Sequence, residues 1–405
     1  MELLILNAGS SSLKFSLYQM PKFKLLHRGI CERIGLDESF IFSRTDSAQE
    51  KKFVSMKNHL EALKTALNSI VSGTTKVLDD INNIEMVGHM FVHGGELFKP
   101  TIATKEVVNY LSKSFDYAPV HMPKNVAVLK ECMKLFPNVP NSIYFDSNFH
   151  STMPDYAYTY AINSNYTKKW NIRRYGFHGS SHEFMKDQVL GFNKENKKII
   201  TCHLGNGCSI SAIKNGKCID TTMGFTPLEG LMMGTRSGDI DPSIVTFLSK
   251  KFKISADEVV NILNEESGLK GISGFSDLRD VEKGAKNGDK NCKLALEMYI
   301  YSIVKHIGAY ISVLEGVDAI AFGGGVGENS GYVRSKVLEK LEYLGLKYDK
   351  ELNKIVNRLP DKKISLPGST IEIYIISTNE ELVVAKKLYQ FYLKNRKNFN
   401  KTVDN

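Results

Sequence analysis

Leu3-Leu4-Ile5-Leu6, then Asn7-Ala8-Gly9-Ser10, then Leu13-Lys14-Phe15-Ser16-Leu17-Tyr18 is the stretch that decides the fold. Four consecutive apolar residues read as a buried strand, the small polar residues as a turn, and the following run as a second strand. The layout recurs in the second half of the chain. Lys198–His203 reads as the strand, Leu204–Gly207 as the turn, and Ser209–Ile213 as the returning strand, closed by an Asn215-Gly216 hairpin turn. Two such units predict a duplicated architecture with a cleft between its halves. Helical spacing over His59–Ile70, Lys293–Leu314, Val333–Leu344 and about Glu380–Leu393, with a buried strand at Asp318–Phe322 running into Gly323–Gly327, makes the class α/β.

A chain of 405 residues is long for one domain, so two are expected. The +9 net charge raises the question of a nucleic-acid partner, but only the tail Lys394–Lys401 is a dense basic cluster, so a diffuse basic surface and an anionic substrate are expected instead. The six cysteines show no C-x-x-C pair or zinc-like spacing and read as reduced thiols. The amino terminus is too short and acidic for a signal peptide, and no apolar run reaches membrane-spanning length. The expectation is a soluble, cytoplasmic protein with no membrane or nucleic-acid partner.

The chemistry gathers in glycine-rich and polar turns. Asn7–Lys14 offers hydroxyls, small residues and a lysine, groups that can wrap phosphate oxygens, although it lacks the P-loop spacing. His203–Gly207 and Gly323–Asn329 are further glycine-rich turns after buried strands, where backbone can approach a ligand closely. Together they predict nucleotide binding. Met233–Pro242 packs Arg236, Asp239 and Asp241 among glycines, and an arginine held by carboxylates suits a site for anionic oxygens. Val92–Glu96, Ala118–His121, Phe145–His150 and Arg173–His182 carry His93, His121, Asp146, His150, His178 and His182, and histidines beside glycine, aspartate or arginine in such short irregular stretches point to a site. No H-E-x-x-H or G-x-S-x-G is present, which argues against a zinc or serine hydrolase.

In this order, Asn7–Lys14, Val92–Glu96, Phe145–Pro154, Arg173–His182, His203–Gly207, Thr226–Pro242, Gly324–Ser330 and Thr378–Leu382 resemble the acetate kinase family over nearly the whole chain. The resemblance implies two actin-like, ribonuclease H-like domains with a nucleotide cleft between them: 1–150, completed by a C-terminal helix at about 381–395, and 151–380, with 396–405 a disordered tail. It implies a homodimer and reversible, magnesium- or manganese-dependent transfer of the γ-phosphoryl group between ATP and acetate, giving acetyl phosphate and ADP. By motif, Asn7 and Glu380 match the metal site, with Glu381 the adjacent alternative. Ser10, Ser12 and Lys14 match phosphate contacts. His203, Leu204, Gly205, Asn206, Gly207, Asp277, Leu278, Arg279, Gly325, Val326, Gly327, Glu328 and Asn329 match the nucleotide segments. Asp146, His178 and Arg236 match catalytic positions, with Asp146 orienting Arg236 or a neighbouring donor and His121 and Asn206 in support. Val92, Val120, Phe177 and Pro227 match the pocket for the acetate methyl group.

The chain departs from the family at Met90, which stands where an arginine is expected to hold the substrate carboxylate or the transferring phosphoryl group. No lysine or arginine lies between Lys76 and Lys99 to replace it. Methionine donates no hydrogen bond to an anion. Three readings follow: a slow kinase, a kinase in which a distant basic group stands in, or an ATP-binding relative without turnover. Met122 and Ser147-Asn148 are smaller departures. Val120 in place of leucine would enlarge the pocket by about one methylene, worth roughly 1–3 kcal/mol of discrimination, which makes propionate the alternative acceptor.

Overall fold

The computed structural model describes residues 1–118, 121–354 and 361–403. The chain forms two compact units, Met1–Asn148 with Glu380–Asn405, and Phe149–Asn379. In the first unit an eight-stranded sheet runs in the order β5-β4-β3-β2-β1-β6-β8-β7. Its strands are β1 (Glu2–Ala8), β2 (Ser12–Gln19), β3 (Lys24–Glu32), β4 (Phe40–Arg44), β5 (Gln49–Phe53), β6 (Ile84–Phe91), β7 (Thr101–Ile102) and β8 (Asn141–Phe145). β1 is antiparallel to β2 and parallel to β6, and β6 is parallel to β8. Alternate residues of a strand face opposite sides. Leu4 and Leu6 therefore join the helices His59–Val71 and Met122–Leu135, while Leu3 and Ile5 join Met86, Met90 and, from the C-terminal helix, Val384 and Leu388.

The second unit repeats the pattern with β9 (Lys198–Leu204), β10 (Cys208–Lys214), β11 (Lys217–Thr221), β12 (Ala319–Gly323), β13 (Lys362–Lys363) and β14 (Glu372–Ile375) in the order β11-β10-β9-β12-β14-β13. Here too the leading strand, β9, is antiparallel to β10 and parallel to β12, and β12 is parallel to β14. The shared strand order is the duplication that the recurrent strand–turn–strand units predict. Asn215 and Gly216 both have positive φ, as a two-residue hairpin between strands of right-handed twist requires.

Some boundaries differ from expectation. The helix expected over Val333–Leu344 ends at Glu339, and a 3₁₀ turn at Glu342–Leu344 follows. The C-terminal helix Glu380–Val403 has a non-helical residue at Asn395, where φ is −117° and ψ is 15°. All six cysteines are buried and unpaired. Among the described residues no helix is long and apolar enough to cross a membrane.

Candidate active site

In the second unit, β9 and β12 lie side by side in parallel, so the turns at their carboxyl ends are brought together. Gly324, at φ 74°, lies against the Leu204 backbone, and a β-carbon there would come within 2.8 Å of Leu204 O. Only glycine fits this conformation and this approach. A cavity of about 790 Å³ opens beside the paired turns and is lined by Gly205, Asn206, Gly325, Val326 and Asn329. Its far wall is Asp277, Leu278 and Arg279 at the start of the helix Leu278–Lys286. Asp277 caps that helix and grips the exposed Arg279 guanidinium, whose hydrogen bonds hold the Asp277 carboxyl below its usual range. Three expected nucleotide segments, far apart in sequence, thus share one concavity. A larger groove of about 1100 Å³ along the helix Lys290–Leu314, lined by Leu294, Met298 and Tyr301, contains none of the expected site residues.

His178 and Arg236 meet at Gly207. A β-carbon on Gly207 would lie 3.3 Å from Arg236 Nη1 and 3.4 Å from His178 Cε1. His178 has left-handed backbone, φ 55° and ψ 29°, and directly precedes the helix Gly179–Phe192. This conformation costs a non-glycine residue about 1–3 kcal/mol and clusters at functional sites. Its ring stacks on His203 with centroids 4.1 Å apart, and its Nδ1 is 2.9 Å from Ser209 Oγ. Burial, with His203, Arg236 and His150 nearby, holds the His178 pKa well below the ordinary imidazole value. His150 donates from Nε2 to the Phe177 carbonyl at 2.9 Å, fixing the residue before His178. Arg236 Nη1 donates to Pro227 O at 3.4 Å and faces Met233 Sδ at 3.9 Å.

The expectation that Asp239 and Asp241 hold Arg236 is corrected. Asp239 accepts from Gly230 N at 2.8 Å and faces His306 Nε2 at 3.4 Å, while Asp241 accepts from Ser243 N. They fix the loop around the arginine and leave its guanidinium to carbonyl and sulfur partners. Glu328 also departs from its expected place: its carboxylate accepts from Thr378 N and from the hydroxyls of Thr378 and Ser377. His203, Leu204, Gly207 and Gly327 support the cavity from β9 and the short helix Gly324–Asn329 without lining it.

In the first unit, the Asn7–Lys14 turn is held from three sides. Asn125 Nδ2 donates to Ala8 O at 2.9 Å, His59 Nε2 to Gly9 O at 2.9 Å, and Lys124 Nζ to Ser10 O at 2.5 Å. Ser10 and Lys14 are exposed. Asn7 is in register with Met90 on the neighbouring strand, and Met90 is 7% exposed among Leu3, Ile5, Tyr18 and Tyr144. Glu381 pairs with Arg28 at 3.6 Å, whereas Glu380 opens the C-terminal helix. Asp146 is buried at the start of the 3₁₀ segment Asp146–Thr152, directly after β8. Val92 is half-buried and His121 precedes the helix Met122–Leu135. Val120 lies outside the described residues.

Sequence reasoning missed the groups that position these side chains. Ser209 and Thr201 sit fully buried on β10 and β9 behind His178, and Ser181 Oγ is 2.7 Å from His203 Nδ1. Hydroxyls within otherwise apolar strands were the available signal. Arg174 pairs with Glu229 at 2.5 Å and donates to the Thr221 and Thr222 carbonyls, which anchors the Thr226–Gly230 loop. The fully buried Arg334 donates to Gly327 O at 2.7 Å and to Asn353, steadying the glycine turn from below.

The sequence profile of the Acetokinase family matches residues 2–386. An acetate kinase of Thermotoga maritima is 47% identical over 95% of this chain and 97% of its own length. One from Caldanaerobacter subterraneus subsp. tengcongensis is 48% identical over 95% and 98%. Among solved structures, Porphyromonas gingivalis acetate kinase superposes with a TM-score of 0.87 at 37% identity, covering 96% of this chain and 99% of that one. A propionate kinase from Francisella tularensis gives 0.88 at 36% identity, covering 95% and 98%. With its motifs, its paired sheets and its full-length match agreeing, the chain belongs to the Acetokinase family.

Proposed function

We propose that this protein transfers the γ-phosphoryl group of ATP to acetate, reversibly, giving acetyl phosphate and ADP. The observation that carries the reading is the meeting of His178 and Arg236 at Gly207, one residue from the Asn206 wall of the cavity. An anion-stabilising pair beside a nucleotide-sized concavity suits phosphoryl transfer. Acetate is ionised at neutral pH, so no strong general base is required. The difficulty is to bring a carboxylate up to a polyanion and to stabilise charge on the equatorial oxygens. Arg236 supplies positive charge, and His178, held neutral by burial, supplies an N–H dipole. Asp146 serves as the orienting carboxylate. By family motif, Phe177, Pro227, Val92 and Val120 are the residues assigned to the acetate methyl group, with His121 in support.

Asn7 and Glu380 are the residues proposed to hold magnesium. The Arg28 pairing of Glu381 favours Glu380 as the metal-side carboxylate. A sparse set of oxygen donors fits this ion, which takes its remaining ligands from phosphates and water. When bound, it would neutralise phosphate charge. Ser10, Ser12 and Lys14 complete the phosphate contacts, and the cavity of Gly205, Asn206, Asp277–Arg279, Gly325, Val326 and Asn329 takes the nucleotide. The two units are proposed to be the two actin-like domains of the family, and the protein to be a cytoplasmic homodimer.

The test is acetyl phosphate formation, trapped as the hydroxamate, from ATP, magnesium and acetate. Turnover that is lost in Arg236→Gln supports the reading. No turnover in the native chain or in Met90→Arg overturns it. Propionate is the second acceptor to compare, because a solved propionate kinase matches as well as the acetate kinase does. A higher kcat/KM for propionate would reassign the substrate.

A further inference from the structure

A chain of buried hydrogen bonds leads away from His178. Its Nδ1 is 2.9 Å from Ser209 Oγ, and the same oxygen is 2.7 Å from His182 Nε2. His182 Nδ1 is in turn 2.8 Å from Thr201 Oγ1. Ser209, His182 and Thr201 have no exposed surface. A neutral imidazole has one N–H and one acceptor nitrogen, and a hydroxyl has a single proton to give. The chain can therefore carry its protons in one direction or the other, as a unit.

The far end decides the direction. Thr201 Oγ1 makes no side-chain hydrogen bond other than that to His182 among the described residues. If His182 Nδ1 were the donor, the Thr201 hydroxyl proton would be buried without an acceptor, the costlier arrangement. With the opposite polarity every N–H and O–H of the Thr201, His182 and Ser209 side chains is used. Thr201 donates to His182 Nδ1, His182 Nε2–H donates to Ser209, and Ser209 donates to His178 Nδ1. The proton of His178 is then on Nε2, the atom 3.5 Å from the β-carbon position of Gly207, where Arg236 Nη1 also approaches. His203 follows the same logic. Ser181 Oγ has only His203 Nδ1 as a side-chain partner among the described residues, which leaves the proton of this stacked ring on Nε2 as well.

We propose that Thr201, His182 and Ser209 form a polarised relay that sets the Nε2–H tautomer of His178, and that all three are positioning residues for phosphoryl transfer. The proposal deepens the kinase reading and rests on it for its catalytic consequence. Its structural content can be read without substrate. Outer partners that orient a functional histidine typically matter by about 10–100-fold in activity or affinity.

The experiment is long-range nitrogen–proton correlation of the imidazoles in the nitrogen-15-labelled full-length protein, with His178→Gln assigning the His178 signals, alongside steady-state kinetics. The expected native tautomer at His178 is Nε2–H. Ser209→Ala should move it toward Nδ1–H and lower kcat by about 10–100-fold, with a smaller change in the KM for acetate. Thr201→Val, of nearly the same shape and remote from substrate, should shift the tautomer in the same direction while melting close to the native temperature. It carries the test if Ser209→Ala fails to fold. An Nδ1–H tautomer in the native protein, or an unchanged Nε2–H tautomer in the folded variants, overturns the proposal. Tautomers that behave as expected in a protein without kinase turnover support the relay and reject the kinase reading.

Discussion

Replacing Met90 by arginine should make the protein faster and less stable at once. Met90 is 7% exposed on β6, facing the cluster of Leu3, Ile5, Tyr18, Tyr144 and Leu388. An arginine stem keeps most of the buried methylenes, and the guanidinium must reach beyond the cluster to water or an anion. Losing about one or two buried groups, at ~0.8 kcal/mol each, and partly desolvating the charge together cost roughly 2–4 kcal/mol. For a unit of this size that is a fall in melting temperature of about 4–16 °C. The gain is larger on the rate side. An arginine on a transferring phosphoryl group contributes about 10³–10⁵ in rate, or ~4–7 kcal/mol. Allowing for imperfect placement of the new side chain, kcat should rise at least about 100-fold. The assay is hydroxamate-trapped acetyl phosphate under saturating ATP and acetate, with calorimetry on the same samples. A folded variant whose kcat stays within a few-fold of native would show that position 90 is not where charge is missing. Lys124, which donates to the Ser10 carbonyl on the phosphate turn, would then be the next cation to remove.

Arg236→Gln should lower kcat by about 10³-fold or more while ADP affinity, measured by calorimetry, stays close to native, because Arg236 lies outside the cavity lining. Gly234→Ala places a β-carbon on Asn206 Oδ1, so it should displace that wall and weaken ATP binding by about tenfold or more, and native affinity would refute the assigned cavity. Buried His27, His89 and His150 have pKa values lowered by burial to about 4. Below the unfolded value of about 6.5, the unfolded chain takes up protons that the folded chain refuses. Stability should be flat above that pH and fall toward pH 4 by up to ~1.4 kcal/mol per unit for each histidine. Urea midpoints at pH 7 and pH 5 read this directly, and equal midpoints would contradict it.

The turns were legible in the sequence because their chemistry is local. Asn7–Ser10, His203–Gly207 and Gly323–Gly327 each follow an apolar run, and glycine marks the places where backbone crowds backbone, as Gly324 does against Leu204. The duplicated strand order was visible only in outline, since pairing β9 with β12 joins segments separated by most of the second unit. The partners of charged side chains were the hardest to read. Asp239 and Asp241 sit close to Arg236 in sequence, yet backbone N–H groups and His306 claim them first. Ser209 could not be assigned to His178 without knowing that β10 runs behind the first turn of the helix Gly179–Phe192.

The same partner choices bear on what an arginine at position 90 would add. Four histidines, His150, His178, His182 and His203, crowd the second-unit site. Burial and mutual repulsion hold His178 and His182 well below the ordinary imidazole pKa, so both are neutral at working pH. A neutral imidazole can offer an oriented N–H to an oxygen that gains charge, but it cannot offset the whole charge brought together when a carboxylate meets a phosphate chain. That task would fall to formal cations: Arg236, Lys14 of the proposed phosphate turn and the proposed metal ion. An arginine introduced at position 90 adds to a short list of formal cations, which is why Met90→Arg should show in the rate.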